Sequence, residues 1–89
     1  MYHNLKLESC FAEAVNRGEK TFEIRYNKDR GFQTGDFITF SVVNEGVHIN
    51  HPLNLAVFEI TYVLSYYGLK EDYVAFSIKR ADKEKNGDE

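Results

Sequence analysis

The chain has one cysteine, one proline, one methionine and no tryptophan among its 89 residues. A single thiol, Cys10, excludes an intrachain disulfide, so the fold must rest on its core and its hydrogen bonds. The same scarcity points to a reducing, cytoplasmic setting. No run approaches the roughly 20 apolar residues that cross a bilayer as a helix, which excludes a helical membrane anchor. Met1 is followed by no apolar stretch of the kind found in a secretory leader, and none is expected. Basic residues are also short, with 11 Lys and Arg against 14 Asp and Glu and a formal net charge of −3. Proteins that coat duplex nucleic acid carry a basic excess, so bulk phosphate attraction does not drive binding by this chain. His48-x-x-His51 lacks further ligands at a suitable spacing, and neither a metal nor a cofactor is expected. Cys10 is expected to pack as a small apolar residue.

What the chain does have is globular: 43% apolar and 28% charged residues, with seven Phe and six Tyr. A chain of this length holds one domain, here residues 1–80, and buries roughly 60–65% of its unfolded surface. Residues 2–7 read as a strand with Leu5 in the core. Residues 8–17 read as a helix with Ser9 as N-cap and Phe11, Ala14 and Val15 on its apolar face. Gly18 suits the left-handed position that stops it. Residues 21–26 alternate as a strand, and Phe22 and Ile24 are predicted to enter the core, with Glu23 and Arg25 on the other face. Residues 27–35 form a polar loop anchored by Phe32. A Gly35-Asp36 turn leads into a strand over residues 36–43, and Asn44-Glu45-Gly46 predicts a hairpin with Gly46 at positive φ. Residues 47–50 pair back weakly until His51-Pro52 stops them. Residues 53–64 read as the longest strand, with Ala56, Phe58, Ile60, Tyr62 and Leu64 inward. A loop around Gly68 precedes the last strand, residues 73–79, with Val74, Phe76 and Ile78 inward. Residues 81–89 read as a flexible charged tail. The predicted fold class is α+β, mostly β: five or six strands curled into a small pseudo-barrel with one helix.

Lys20, Thr21, Glu23 and Arg25 supply the chemistry. Glu23 and Arg25 share a strand face about 6.5–7 Å apart, with Lys20 at the strand entrance. Arg25 offers a planar fork to a phosphate or a base edge, Lys20 a point charge, and Glu23 an acceptor for an exocyclic amine. His3 and Lys6 lie on opposite faces of the first strand, so one of them borders the same cleft. Asp29 and Arg30 are placed to cap it from the loop. Asp36 shapes a turn, and Tyr66, Tyr67 and Tyr73 are candidates to stack on a base.

The segments His3-Asn4-Leu5-Lys6, Gly18-x-Lys20-Thr21-Phe22-Glu23-Ile24-Arg25 and Asp29-Arg30-x-Phe32-x-x-Gly35-Asp36 resemble the DUF3850 family. So do Thr61-Tyr62-Val63-Leu64 and Gly68-Leu69 followed by Tyr73-Val74-x-Phe76-Ser77-Ile78-Lys79. The resemblance spans residues 3 to 80. It implies placement with the ASCH and PUA-like domains, pseudo-barrels with a helix packed at the barrel mouth, many from bacteria and their phages. It also implies binding of RNA or a nucleotide through Lys6, Lys20, Thr21, Glu23, Arg25 and Arg30. Within that superfamily, small amidohydrolases of acetylated cytidine carry a similar Gly-x-Lys-Thr-x-Thr-x-Arg motif. Lys20 and Arg25 match it, Glu23 stands at its second threonine, and Glu59 is the available substitute for a downstream glutamate. The leading expectation is a binding module without enzymatic activity. The alternatives are an amidohydrolase using Lys20 and Glu23, and a protein-interaction module using the edge at residues 47–50.

Overall fold

Short apolar runs divided by Gly-, Asn- and Asp-rich turns build strands that cannot each bury a face alone, so they curl around a shared core. The structure, a computed structural model, describes residues 1–81. In chain order it runs β1 (Tyr2–Glu8), α1 (Ser9–Asn16), β2 (Phe22–Tyr26), β3 (Phe37–Asn44), β4 (Val47–His48), a 3₁₀ helix (Pro52–Leu55), β5 (Val57–Leu64) and β6 (Tyr73–Arg80). Five strands form one sheet in the order β1-β3-β5-β6-β2, and β4 adds to the edge of β3. β1 is parallel to β3, and the other pairs are antiparallel. The product is the mostly-β half-barrel with one helix that the sequence predicts. The predicted tail lies outside the described residues, apart from Ala81.

The core follows from register. His3, Leu5 and Leu7 stand opposite Ile38, Phe40 and Val42. Ile38 stands opposite Phe58, Ile60 opposite Ile78, and Val63 opposite Phe76. Cross-strand partners share a face, so these side chains meet inside the curl. Ala12 and Val15 of α1, with Phe32, Leu53 and Ala56, join them. Phe32 lies against His3 at 4.5 Å and Phe76 at 4.8 Å between ring centroids, which anchors its loop as predicted. Truncating a ring such as Phe76 to alanine would cost about 3–5 kcal/mol.

Local signals produced the turns. Glu45 and Gly46 both have positive φ, the two-residue hairpin turn whose twist matches the strands it joins. Past the helix, the Gly18 N–H donates to Val15 O at 3.0 Å and the Glu19 N–H to Ala14 O at 2.9 Å, the Schellman pair, with Gly18 at φ +79°.

Other expectations are corrected. The N-cap is Glu8, with no side-chain cap bond, because β1 runs straight into the helix and leaves Ser9 inside it. The buried helix face is Ala12 and Val15; Phe11 is exposed, and so is Cys10, which does not pack inward. The strand predicted from residue 53 starts at Val57, since Pro52 and Asn54 build the 3₁₀ turn. There the Asn54 Oδ1 accepts the Val42 N–H at 2.8 Å, standing in for a ladder bond on β3 in the stretch between its pairings with β5 and β4. A register shift between Ile60 and Tyr62 turns Tyr62 outward and Val63 against the core, reversing the predicted phase. In β2 the phase is inverted throughout: Glu23 is buried, whereas Phe22, Ile24 and Tyr26 are exposed.

Candidate functional site

The half-barrel leaves one seam. β1 and β2 end the sheet order, so each has an edge without a strand partner. No Cα of β1 lies within 8 Å of β2, whereas laddered strands lie about 5 Å apart. Side chains cross the gap instead. The Arg25 Nη2 donates to Lys6 O at 2.9 Å, and the Arg30 Nη1 to Asn4 O at 3.4 Å. Asn4 and Lys6 are two apart on β1, so both carbonyls point to the same open side.

Glu23 explains the inverted phase of β2. Its register partner on β6 is Phe76, so it enters the interior face. A carboxylate there requires ionic partners, because burial without them is prohibitive. It has two. Arg25 donates to Glu23 Oε1 from Nε at 3.0 Å, with its Nη2 in ion-pair contact at 2.9 Å, and the Lys20 ammonium donates to Glu23 Oε2. Lys20 also donates to the Phe22 carbonyl at 2.7 Å. Side-chain exposure is 4% for Glu23, 17% for Lys20 and 24% for Arg25, so the carboxylate is sealed while both cations reach the cleft. The ammonium sits 4.9 Å from the Phe22 ring centroid and 5.7 Å from that of Phe11, within cation–π range.

A cleft of about 350 Å³ opens here, lined by Lys6, Leu7, Glu8 and Phe11 on one side and Lys20 and Phe22 to Arg25 on the other. Three cations face two carboxylates, so the site is formally +1 in a chain of −3. The Arg25 Nη1 and the Lys6 ammonium make no hydrogen bond to protein among the described residues, and remain available to an acceptor. The arrangement can hold a flat, partly apolar ligand and hydrogen-bond an anionic or carbonyl oxygen on it.

Lys6, Lys20, Glu23 and Arg25 are thus brought together. Thr21 is not: it lines a neighbouring depression with Val15 and Ile78. Arg30 lies farther along the seam, with its guanidinium 5.9 Å from the Phe32 ring. Asp29 is exposed in the same loop. Glu59 pairs in register with Phe37 and Lys79 on the outer face, opposite to Glu23, and cannot replace a glutamate inside the cleft. Phe11 and Phe22 were assigned to the core from the sequence and form the cleft wall instead. Alternation fixes that Phe22 and Glu23 face opposite ways but not which of them is inside, so no sequence signal places them there.

His3 and His51 act structurally. The buried His3 Nε2 meets Asp36 Oδ2 at 2.9 Å. Burial tends to raise the Asp36 carboxyl, but the bonds from His3 and from the Gln33 N–H, with the nearby N-terminal ammonium, hold it below its usual range. The His51 Nδ1 accepts the Leu53 N–H, so its Nε2 carries the proton and donates to Glu13 at 2.9 Å. Among the described residues no group of three His, Cys, Asp or Glu is placed to hold a metal ion, and no helix is long and apolar enough to cross a membrane. Tyr66 and Tyr67 are exposed in the turn between β5 and β6 and do not line the cleft.

Comparison with known proteins bears on the fold and the family. A family model, Domain of unknown function (DUF3850), matches residues 2–78. The crystal structure of hypothetical protein PH0355 superposes with a TM-score of 0.61 at 18% identity, covering 91% of this chain and 100% of that one, which is a likeness of fold. No curated protein matches the chain.

Proposed function

This chain belongs to the DUF3850 family, and from that premise we propose that it binds a nucleotide or an unpaired RNA base in the seam between β1 and β2. One observation carries the reading: two cations converge on a buried carboxylate at the place where the barrel is open, between aromatic walls. The cleft volume suits one base or nucleoside rather than a duplex. The local charge of +1 attracts a phosphate that the chain as a whole repels. Phe22 and Phe11 offer ring faces, and the Arg25 Nη1 and Lys6 offer donors. A half-barrel with a helix beside its open seam is compatible with placement among the ASCH and PUA-like domains, and we place the protein in the cytoplasm on its single cysteine.

Charge reversal at Lys20 or Arg25 is a poor test, because either would leave Glu23 beside a second carboxylate and unfold the site. Phe22→Ala and Lys6→Glu change exposed groups instead. With fluorescently labelled short single-stranded RNA and a panel of mononucleotides, each variant is expected to bind about tenfold or more weakly, with melting near that of the wild type. Wild-type affinity in both variants would refute the assignment.

The direct contact between Lys20 and Glu23 favours a second reading, a proton-transfer pair acting on an acylated nucleoside. Incubation with acylated cytidines, followed by chromatography, decides it: released acid supports hydrolysis, and an unchanged panel eliminates it. The geometry leans to binding, because the Lys20 Nζ already donates to both Glu23 and the Phe22 carbonyl.

A further inference from the structure

The inverted phase of β2 has a second result, on the outside of the half-barrel. Phe22, Ile24 and Tyr26 stand opposite Ser77, Ala75 and Tyr73 of β6. Ser77 and Ala75 in turn stand opposite Tyr62 and Leu64 of β5. Register therefore stacks Phe22–Ser77–Tyr62 and Ile24–Ala75–Leu64 as parallel rows on the outer face. The face has a shape: two ridges of large side chains, on β2 and β5, flank a furrow of Ala75 and Ser77 on β6. The Ser77 hydroxyl is already paired with the Thr61 hydroxyl at 2.7 Å. The rows contain no charged side chain; the next outward pair, Glu59 and Lys79, marks where the apolar face ends.

We propose that this face is the interface of a symmetric dimer, occupied by a second copy of the chain. Exposure is 48% for Phe22, 52% for Ile24, 46% for Tyr26 and 64% for Tyr62. At about 200 Å² per large side chain these four present roughly 400 Å². Leu64, Tyr73 and Ala75, half-buried beside them, raise the total to about 500 Å² per copy, or roughly 1,000 Å² for a pair, the size of a weak, reversible interface. The largest apolar patch on a protein is often functional, and this one is of that size. Single-stranded RNA is the poorer occupant, because stacking platforms for it pair their rings with cations, and in these rows only Phe22, at the cleft end, has one beside it. A ridge–furrow–ridge face complements itself: a ridge of one copy enters the furrow of the other, and a two-fold axis repeats the contact. Two sheets packed in this way lie about 10 Å apart. The inference stands independently of the cleft ligand, although Phe22 and Ile24 border both.

Sedimentation equilibrium from about 1 to 200 µM tests it. The wild type is expected to be dimeric over the upper part of that range. Ile24→Glu and Tyr62→Glu are expected to weaken association at least about thirtyfold, as charges in the centre of an apolar interface do. Val47→Glu, on the exposed β4, leaves association unchanged. Circular dichroism confirms that each variant is folded. A dilution series of amide NMR spectra needs no variant: resonances of residues 22, 24, 26, 62, 75 and 77 should shift with concentration, and those of β4 should not. A monomer across the whole range overturns the proposal, as does association undiminished in Ile24→Glu. So does loss of RNA binding in Tyr62→Glu, which lies away from the cleft, without any self-association: that result would reassign the face to nucleic acid.

Discussion

Replacing Glu23 by glutamine removes the carboxylate that holds Lys20 and Arg25 together and leaves two cations facing each other. The cost lies between two limits. Exposed ion pairs contribute about 0–1 kcal/mol, and breaking a buried one costs about 3–5 kcal/mol. Glu23 is sealed at 4% exposure, but its partners are at 17% and 24%, so water screens part of the effect. A loss of about 3 kcal/mol is expected, against a total of roughly 5–12 kcal/mol for a domain of this size. The corresponding fall in melting temperature is about 12–24 °C. Urea unfolding followed by circular dichroism measures it. The informative partner is the triple variant Lys20→Met, Glu23→Leu, Arg25→Met, in which no charge is left uncompensated. It forfeits the bond to Lys6 O, so stability within about 1.5 kcal/mol of the wild type is expected, with ligand binding abolished. If Glu23→Gln stays within about 0.5 kcal/mol of the wild type, the carboxylate is effectively solvated and the reasoning fails. If the triple variant is as unstable as the single one, the ions support the fold outright and their retention needs no ligand to explain it.

Two further outcomes follow from single residues. Gly18→Ala places a side chain at φ +79° with nothing within 4 Å of the new Cβ, so the cost is purely conformational, about 1–2 kcal/mol by thermal or urea unfolding. Asp36 has its carboxyl held below the usual 3.8, so the stability it contributes is fully present above that value and is lost as pH falls through the lower folded value. Asp36→Asn should therefore flatten the acid limb of a stability–pH curve below about pH 4 and leave its slope near neutrality unchanged, and an unaltered acid limb would contradict this.

Where neighbours in the chain decide the outcome, the structure was legible beforehand. The Gly18 stop, the Glu45-Gly46 turn, and the inward set of β6 follow from local conformational preference and clean alternation. Lys20, Glu23 and Arg25 were legible as a cluster for the same reason, being within five residues of one another. What failed was phase. A period of two says that Phe22 and Glu23 face opposite ways but not which way is inside, and hydrophobicity chose Phe22. It chose wrongly because β2 ends the sheet, where its inner face meets a seam rather than packed core. In β5 one extra residue at the bulge reverses every assignment after Ile60, and no residue type there announces it. Phe11 joins the cleft only through the curl of the sheet, which sequence spacing does not encode.

The seam also gives a physical reason for charge on the inner face of β2. An open sheet presents two free edges, and each row of unpaired carbonyls and N–H groups invites strands from other chains. In this molecule the exposed carbonyls are taken by cations. Arg25 occupies Lys6 O and Arg30 occupies Asn4 O on β1, while Lys20 occupies Phe22 O on β2. An apolar residue at position 25 would leave the Lys6 carbonyl unpaired and that part of the β1 edge open to strand addition. Glu23 makes the inward cations tolerable by neutralising one charge, and the charge left over is what a ligand can use. Guarding the edges and reading a ligand therefore draw on the same side chains, and the apolar residues displaced to the outer face of β2 are available for contact with a second copy.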